Sequence, residues 1–239
     1  MHWGHAVSED LVHWEYLPLA LAPSESYDDH MRGGCFSGSA IEHDGKLFLM
    51  YTGTKNDGNG FEQSQCIAYS EDGIHFEKYE GNPVITAPPN VPKDFFRDPK
   101  VWKHDEKYYM ICGARKNDFA QALLYCSKDM LHWEFVNVLA ESRGEWGYMW
   151  ECPDIYPLGD KYVLMFSPMG LVRGPAFIWW EILTMKRESL SMMSAGRLTG
   201  DLTIMHHSLL KIQEEGAFSS AGLTAGTGCL SGKDWGSDI

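Results

Sequence analysis

The sequence predicts an all-β protein, with about three β-propeller blades followed by an aberrant C-terminal tail. Three observations carry that expectation. A unit of about 60 residues recurs along the chain, its apolar runs are short and divided by regular turns, and no helical period appears before residue 170.

The repeat shows first in its turns. Ser-Glu-Asp-Leu-Val-His-Trp-Glu at 8–15, Ser-Glu-Asp-Gly-Ile-His-Phe-Glu at 70–77 and Ser-Lys-Asp-Met-Leu-His-Trp-Glu at 127–134 share one pattern. Each follows a short strand-like run, Gly4–Val7, Cys66–Tyr69 and Leu123–Cys126 in turn. The motif itself reads as a polar turn joining one strand to the next. A second set lies between these: Asp44-Gly45-Lys46, Asp105-Glu106-Lys107 and Gly159-Asp160-Lys161. These are hairpin turns, and each opens an apolar-aromatic strand, Leu47–Tyr51, Tyr108–Cys112 and Tyr162–Phe166.

Alignment on the three lysines turns the repeat into a statement about chemistry. Ser37 lies nine residues before Lys46, Asp98 nine before Lys107, and Glu151 ten before Lys161. All three fall on the strand that opens a blade. Opening strands line the central channel of a propeller, so two carboxylates and a serine are aimed at one pocket. The competing reading makes Asp98 a cap for the turn at Pro99 and Glu151 a surface residue. Phe95-Phe96 and the aromatic run Trp146–Trp150 beside them favour the pocket.

Composition narrows the partners. The 239 residues, 44% of them apolar, suffice for one large domain or two small ones. A net charge of −13 repels phosphate backbones, so nucleic acids and anionic membrane surfaces are poor candidates. No apolar run reaches the ~18 residues of a membrane span, and Met1-His2-Trp3-Gly4 has no signal-peptide character. Cysteines 35, 66, 112, 126, 152 and 229 lack CxxC spacing and scaffold density, so they read as reduced thiols of a cytoplasmic protein. No metal-ligand spacing is evident, and neither a metal nor a cofactor is expected.

Several stretches together resemble the fructosidase family of glycoside hydrolases that includes invertases and sucrose-6-phosphate hydrolases. They are Trp3-Gly4-His5-Ala6 with Asp10-Leu11-Val12-His13-Trp14, then Phe36-Ser37-Gly38-Ser39-Ala40, Phe96-Arg97-Asp98-Pro99-Lys100-Val101, and Trp150-Glu151-Cys152-Pro153-Asp154. The resemblance covers residues 1 to about 170 and implies a five-bladed propeller of which this chain carries part. It implies that Glu151 is the general acid/base and that Asp98, beside Arg97, binds two fructose hydroxyls. Phe36 and Ser37 would line the fructose subsite, and Cys152 adjoins the acid/base. The implied reaction cleaves the fructosidic bond of sucrose, its 6-phosphate or a related fructoside with retention, through a carboxylate nucleophile and a protonated carboxyl roughly 5 Å apart. Burial of Glu151 among Trp146, Tyr148 and Trp150 is expected to keep it protonated.

Two features depart from the family pattern. The family's nucleophile lies in a Trp-Met-Asn-Asp-Pro-Asn-Gly motif, which is found nowhere in residues 1–239; the repeat places its equivalent ahead of Met1. After Pro168-Met169-Gly170 the strand alternation stops. Back-translated and read one nucleotide out of phase, 178–189 and 201–230 can give segments resembling the family's later blades. The expectation is therefore a partial catalytic propeller at 1–170 and an out-of-frame tail without native fold at 171–239. Two alternatives stay open: a related five-bladed arabinan or xylan glycosidase, and a non-catalytic sugar-binding propeller.

Overall fold

The computed structural model describes residues 1–29, 32–56, 58, 60–158, 161–170, 179–186 and 189–197. The described residues hold strands and turns and no helix. β1 (Trp3–Val7) and β2 (Glu15–Leu21) make a two-stranded sheet. The next sheet runs β3 (Gly34–His43), β4 (Lys46–Asn56), β5 (Phe61–Ser70) and β6 (Glu77–Lys78), with β7 (Ile85–Thr86) also on β5. The third holds β8 (Phe96–His104), β9 (Lys107–Lys116), β10 (Phe119–Ser127) and β11 (Glu134–Glu141). The last orders β12 (Met149–Leu158), β13 (Lys161–Met169), β14 (Trp179–Lys186) and β15 (Ser189–Arg197). Every pairing is antiparallel between chain neighbours, apart from the added β7, giving the up-and-down order of propeller blades.

Local chemistry accounts for both kinds of turn. His43 pairs with Lys46 and His104 with Lys107, so two-residue loops close the hairpins. Asp44 and Gly45 both take positive φ, 51° and 74°, the conformation that suits the twist of flanking strands. In the second type of turn the aspartate organises everything. Asp10 Oδ1 accepts the Val12 and His13 amides while Oδ2 meets His13 Nδ1 at 2.7 Å. Asp72 repeats this with Ile74 and His75, and Asp129 with Leu131 and His132. The serine opening each motif donates to or faces the same aspartate, at 3.2, 2.9 and 3.1 Å. The Ser-x-Asp-x-x-His motif is a self-satisfying turn.

The cores lie between blades. Trp3 and Leu21 pack with Leu49, Tyr51 and Ala68. Phe48, Met50 and Ile67 pack with Phe96, Val101, Tyr108 and Met110. Ile111 and Leu124 pack with Trp150, Leu164 and Phe166. The second and third interfaces are also tied by a polar strap at the hairpin rim: Tyr108 OH meets His43 Nδ1 at 2.6 Å, and Tyr162 OH meets His104 Nδ1 at 3.3 Å. Close approach of the second and third blades depends on Gly113, where an added Cβ would lie 2.0 Å from the Trp150 carbonyl oxygen.

Within 171–239, β14 and β15 extend the last sheet beyond β13. β13 presents an open row of backbone N–H and C=O groups, and a ladder can be completed by backbone alone. Residues 171–178 and 198–239, including His206-His207, lie outside the described residues.

Candidate active site

The opening strands β3, β8 and β12 sit side by side, with β8 packed against β3 and β4 on one flank and β12 on the other. Each carries a one-residue β-bulge at the same height. On β3 the register shifts between Phe36 and Gly38, on β8 between Arg97 and Lys100, and on β12 between Glu151 and Asp154. Asp98 and Cys152 take positive φ there, 62° and 47°. A bulge bends its strand and re-aims the side chains around it, and such bulges favour the neighbourhood of active sites.

The hairpin register refines the alignment made on the lysines. Phe36, Arg97 and Glu151 each stand seven residues before the last paired residue of their strand (His43, His104, Leu158) and immediately before the bulge. Ser37, Asp98 and Cys152 are therefore the true equivalents, and Glu151 matches Arg97. The three strands are equally long from this point to the hairpin, and Glu151, ten residues before its lysine, stands one place ahead of Ser37 and Asp98, nine before theirs. The two carboxylates still come together, because the one-residue offset sets Glu151 against Arg97.

Arg97 is the hub. Its Nε and Nη2 donate to Glu151 Oε1 at 3.2 and 3.0 Å, and Nη1 donates to Gln63 Oε1 at 3.3 Å and the Asp94 carbonyl at 3.1 Å. Asp98 Oδ2 lies 4.0 Å from Arg97 Nε and accepts the Cys152 amide at 2.8 Å and its thiol at 3.7 Å. Asp98 is buried, and burial pushes its carboxyl above the usual aspartate range against the pull of the Arg97 guanidinium. Burial likewise holds the Cys152 thiol well above its ordinary value, which leaves it a poor nucleophile.

Glu151 differs from expectation. Its side chain is 40% exposed. Trp150 is turned into the core, where it stacks on Phe166 at 3.9 Å and donates to the Trp146 carbonyl. Tyr148 instead stands edge-on to Phe95 and under Arg115. Alternation along β12 explains this, since Trp150 and Glu151 must point to opposite sides. Ser37 is buried, its carbonyl 3.3 Å from Thr52 Oγ1, and half-buried Phe36 has its carbonyl held by Trp3 Nε1 at 3.0 Å. Sequence reasoning missed Thr52, Gln63 and Gln65, which touch this cluster from β4 and β5. Their only signal was two glutamines and a threonine in otherwise apolar strands. Among the described residues no group of His, Cys, Asp or Glu is arranged to hold a metal ion.

A propeller that gathers an arginine and two carboxylates on bulged opening strands has the make-up of a glycosidase site. The chain belongs to glycosyl hydrolase family 32: the family's N-terminal domain matches residues 1–216. Among curated relatives it is 45% identical over 177 residues to the Escherichia coli sucrose-6-phosphate hydrolase, covering 72% of this chain and 36% of the relative. The Escherichia coli raffinose invertase is 46% identical over 177 residues. The chain thus spans about a third of the length of these relatives. Among solved structures, the Bombyx mori beta-fructofuranosidase aligns at a TM-score of 0.74 and 38% identity, over 83% of this chain and 43% of that one. Sucrose-6-phosphate hydrolase from Lactobacillus gasseri aligns at 0.70 and 34%, over 80% and 41%. A mutant of the Bombyx mori enzyme was solved in complex with sucrose.

Proposed function

We propose that this chain carries the acid/base and fructose-holding half of a β-fructofuranosidase site whose substrate is sucrose, sucrose 6-phosphate or a related fructoside. The observation that supports this most is the meeting of Arg97, Asp98 and Glu151 at matched bulges, in a chain whose relatives are named sucrose-6-phosphate hydrolase and raffinose invertase. Glu151, with its side chain 40% exposed, is placed to give a proton to the departing sugar oxygen and later to take one from water. Arg97 fixes that carboxyl in place. Asp98, walled from solvent and held by the Cys152 amide, keeps a carboxyl ready for paired hydroxyls of a fructosyl ring. Phe36 and Ser37 complete the same wall from β3.

Retention requires a second carboxylate as nucleophile, and the Trp-Met-Asn-Asp-Pro-Asn-Gly motif does not occur in these 239 residues. Within this reading the polypeptide as written binds a fructoside without turning it over. The test is an assay of reducing sugar released from sucrose by this chain and by a chimera preceded by a relative's segment carrying that motif. The chimera should be faster by several orders of magnitude, since loss of a nucleophile removes the covalent route. Comparable turnover from both would show that the named carboxylates are not the catalytic set.

A further inference from the structure

We propose that Thr52, Gln63 and Gln65 are positioning residues, a side-chain ladder that holds Arg97 and Asp98 in place for the site; the functional part of this rests on the reading above. Among the described residues β8 is an edge strand, paired only with β9 within its sheet. Its other edge faces the preceding blade, and no strand of that blade pairs with it. Side chains replace the missing strand. The Phe96 amide donates to Gln63 Oε1 at 3.1 Å, and Gln65 Nε2 donates to the Phe96 carbonyl at 2.9 Å. The Asp98 amide donates to Thr52 Oγ1 at 2.9 Å. Farther down, Ser39 Oγ donates to the Pro99 carbonyl and accepts the Val101 amide, both at 2.9 Å.

The ladder is a connected chain. Thr52 and Gln65 are cross-strand partners on β4 and β5, and the Thr52 hydroxyl donates to Gln65 Oε1 at 3.0 Å. Gln63 Oε1 takes Arg97 Nη1 as well as the Phe96 amide. Thr52 and Gln65 are fully buried and Gln63 nearly so, at 0%, 0% and 4% exposure. An apolar strand would fill this core without the cost of desolvating three polar side chains. Their bonds converge on Phe96, Arg97 and Asp98, the segment that bulges and holds a non-glycine residue at φ 62°. From Asp98 the chain passes on to the Cys152 amide, next to Glu151. A change at Thr52 therefore reaches the third blade through two hydrogen bonds.

Thr52→Val keeps the shape and removes the hydroxyl, while Thr52→Ser keeps the hydroxyl. Amide hydrogen exchange by NMR on the whole chain reads the coupling without ligand. Thr52→Val should speed exchange at the Asp98 and Cys152 amides by about tenfold, the effect of one buried hydrogen bond, leaving the β9–β10 ladder amides unchanged. Thr52→Ser should restore protection at both. Should Thr52→Val fail to fold, Gln65→Met breaks the same chain from its other end and is read in the same way. Unchanged exchange at Cys152, or a loss spread evenly over β9 and β10, would overturn the proposal. Titration with fructose is the second arm: it should shift the Cys152 amide in the native chain and in Thr52→Ser, and about tenfold more weakly in Thr52→Val. Absence of any fructose shift in the native chain would count against the functional reading alone, since the exchange coupling needs no sugar.

Discussion

Asp98 and Glu151 are both carboxylates on opening strands, yet their surroundings divide them. Asp98 is 6% exposed and Glu151 lies open beside the Arg97 guanidinium. The environment of Asp98 has a consequence for stability. Its folded-state carboxyl titrates above the ordinary aspartate range, so between those two values the folded chain holds a proton that the unfolded chain has lost. Stability contributed by this group therefore falls as pH rises through that window. Urea melts across the mildly acidic range should show this slope in the native chain and a flatter one in Asp98→Asn, which cannot ionise. The sequence made Arg97, Asp98 and Glu151 legible because Arg-Asp-Pro and Glu-Cys-Pro are distinctive and recur in register. Exposure of Glu151 was not legible, because neighbours in sequence on a strand face opposite ways. Nor was the support from Thr52, Gln63 and Gln65, whose partners lie more than thirty residues away.

At the scale of elements, the repeated turns were the most readable feature, since their chemistry closes within six residues. Asp10 and Asp72 are held well below the usual carboxylate range, first by the histidine side chain of the same turn and then by backbone amides. Asp129 moves the same way: burial pushes it up, but the His132 amide and ring outweigh that. A depressed folded value reverses the sign found for Asp98. This contribution is present above the ordinary aspartate value and is lost as pH falls through the lowered one. Replacing Asp72 and Asp129 with Asn should therefore lower stability at neutral pH and bring the variant closer to the native chain in strong acid, read as the midpoint of chemical unfolding at each pH. The effect per turn should be modest because these side chains are about half exposed. Bulges were less legible. The strand pairing shows them at one height on all three opening strands, and shows that Cys152, not Glu151, stands in the place of Asp98.

At the scale of the whole molecule, the repeat predicted blades and the described residues form three of them behind a two-stranded sheet, with cores that lie between sheets. That arrangement follows from up-and-down strands with apolar residues on both faces, which demand a neighbour on each side. The tail was the hard part. β14 and β15 extend the last sheet, the family match runs on to residue 216, and the curated relatives align over 72% of the chain. We retain the reading-frame shift as a proposal for 171–239. Resequencing the coding DNA across codons 165–180 should reveal one inserted or deleted nucleotide relative to related genes, and an unbroken frame would dispose of it.

The role proposed for Glu151 is to supply the proton to the leaving sugar. It is tested most directly in the chimera that carries the nucleophile motif, by comparing Glu151→Gln on two substrates. On sucrose the leaving group is glucose, a poorly acidic alcohol that needs that proton, whereas β-fructosyl fluoride needs far less help at its leaving group. The account predicts that Glu151→Gln lowers kcat/KM on sucrose by about 10²- to 10⁴-fold, the usual worth of a general acid, with a much smaller loss on the fluoride. Equal losses on both substrates, or no loss on sucrose, would contradict it.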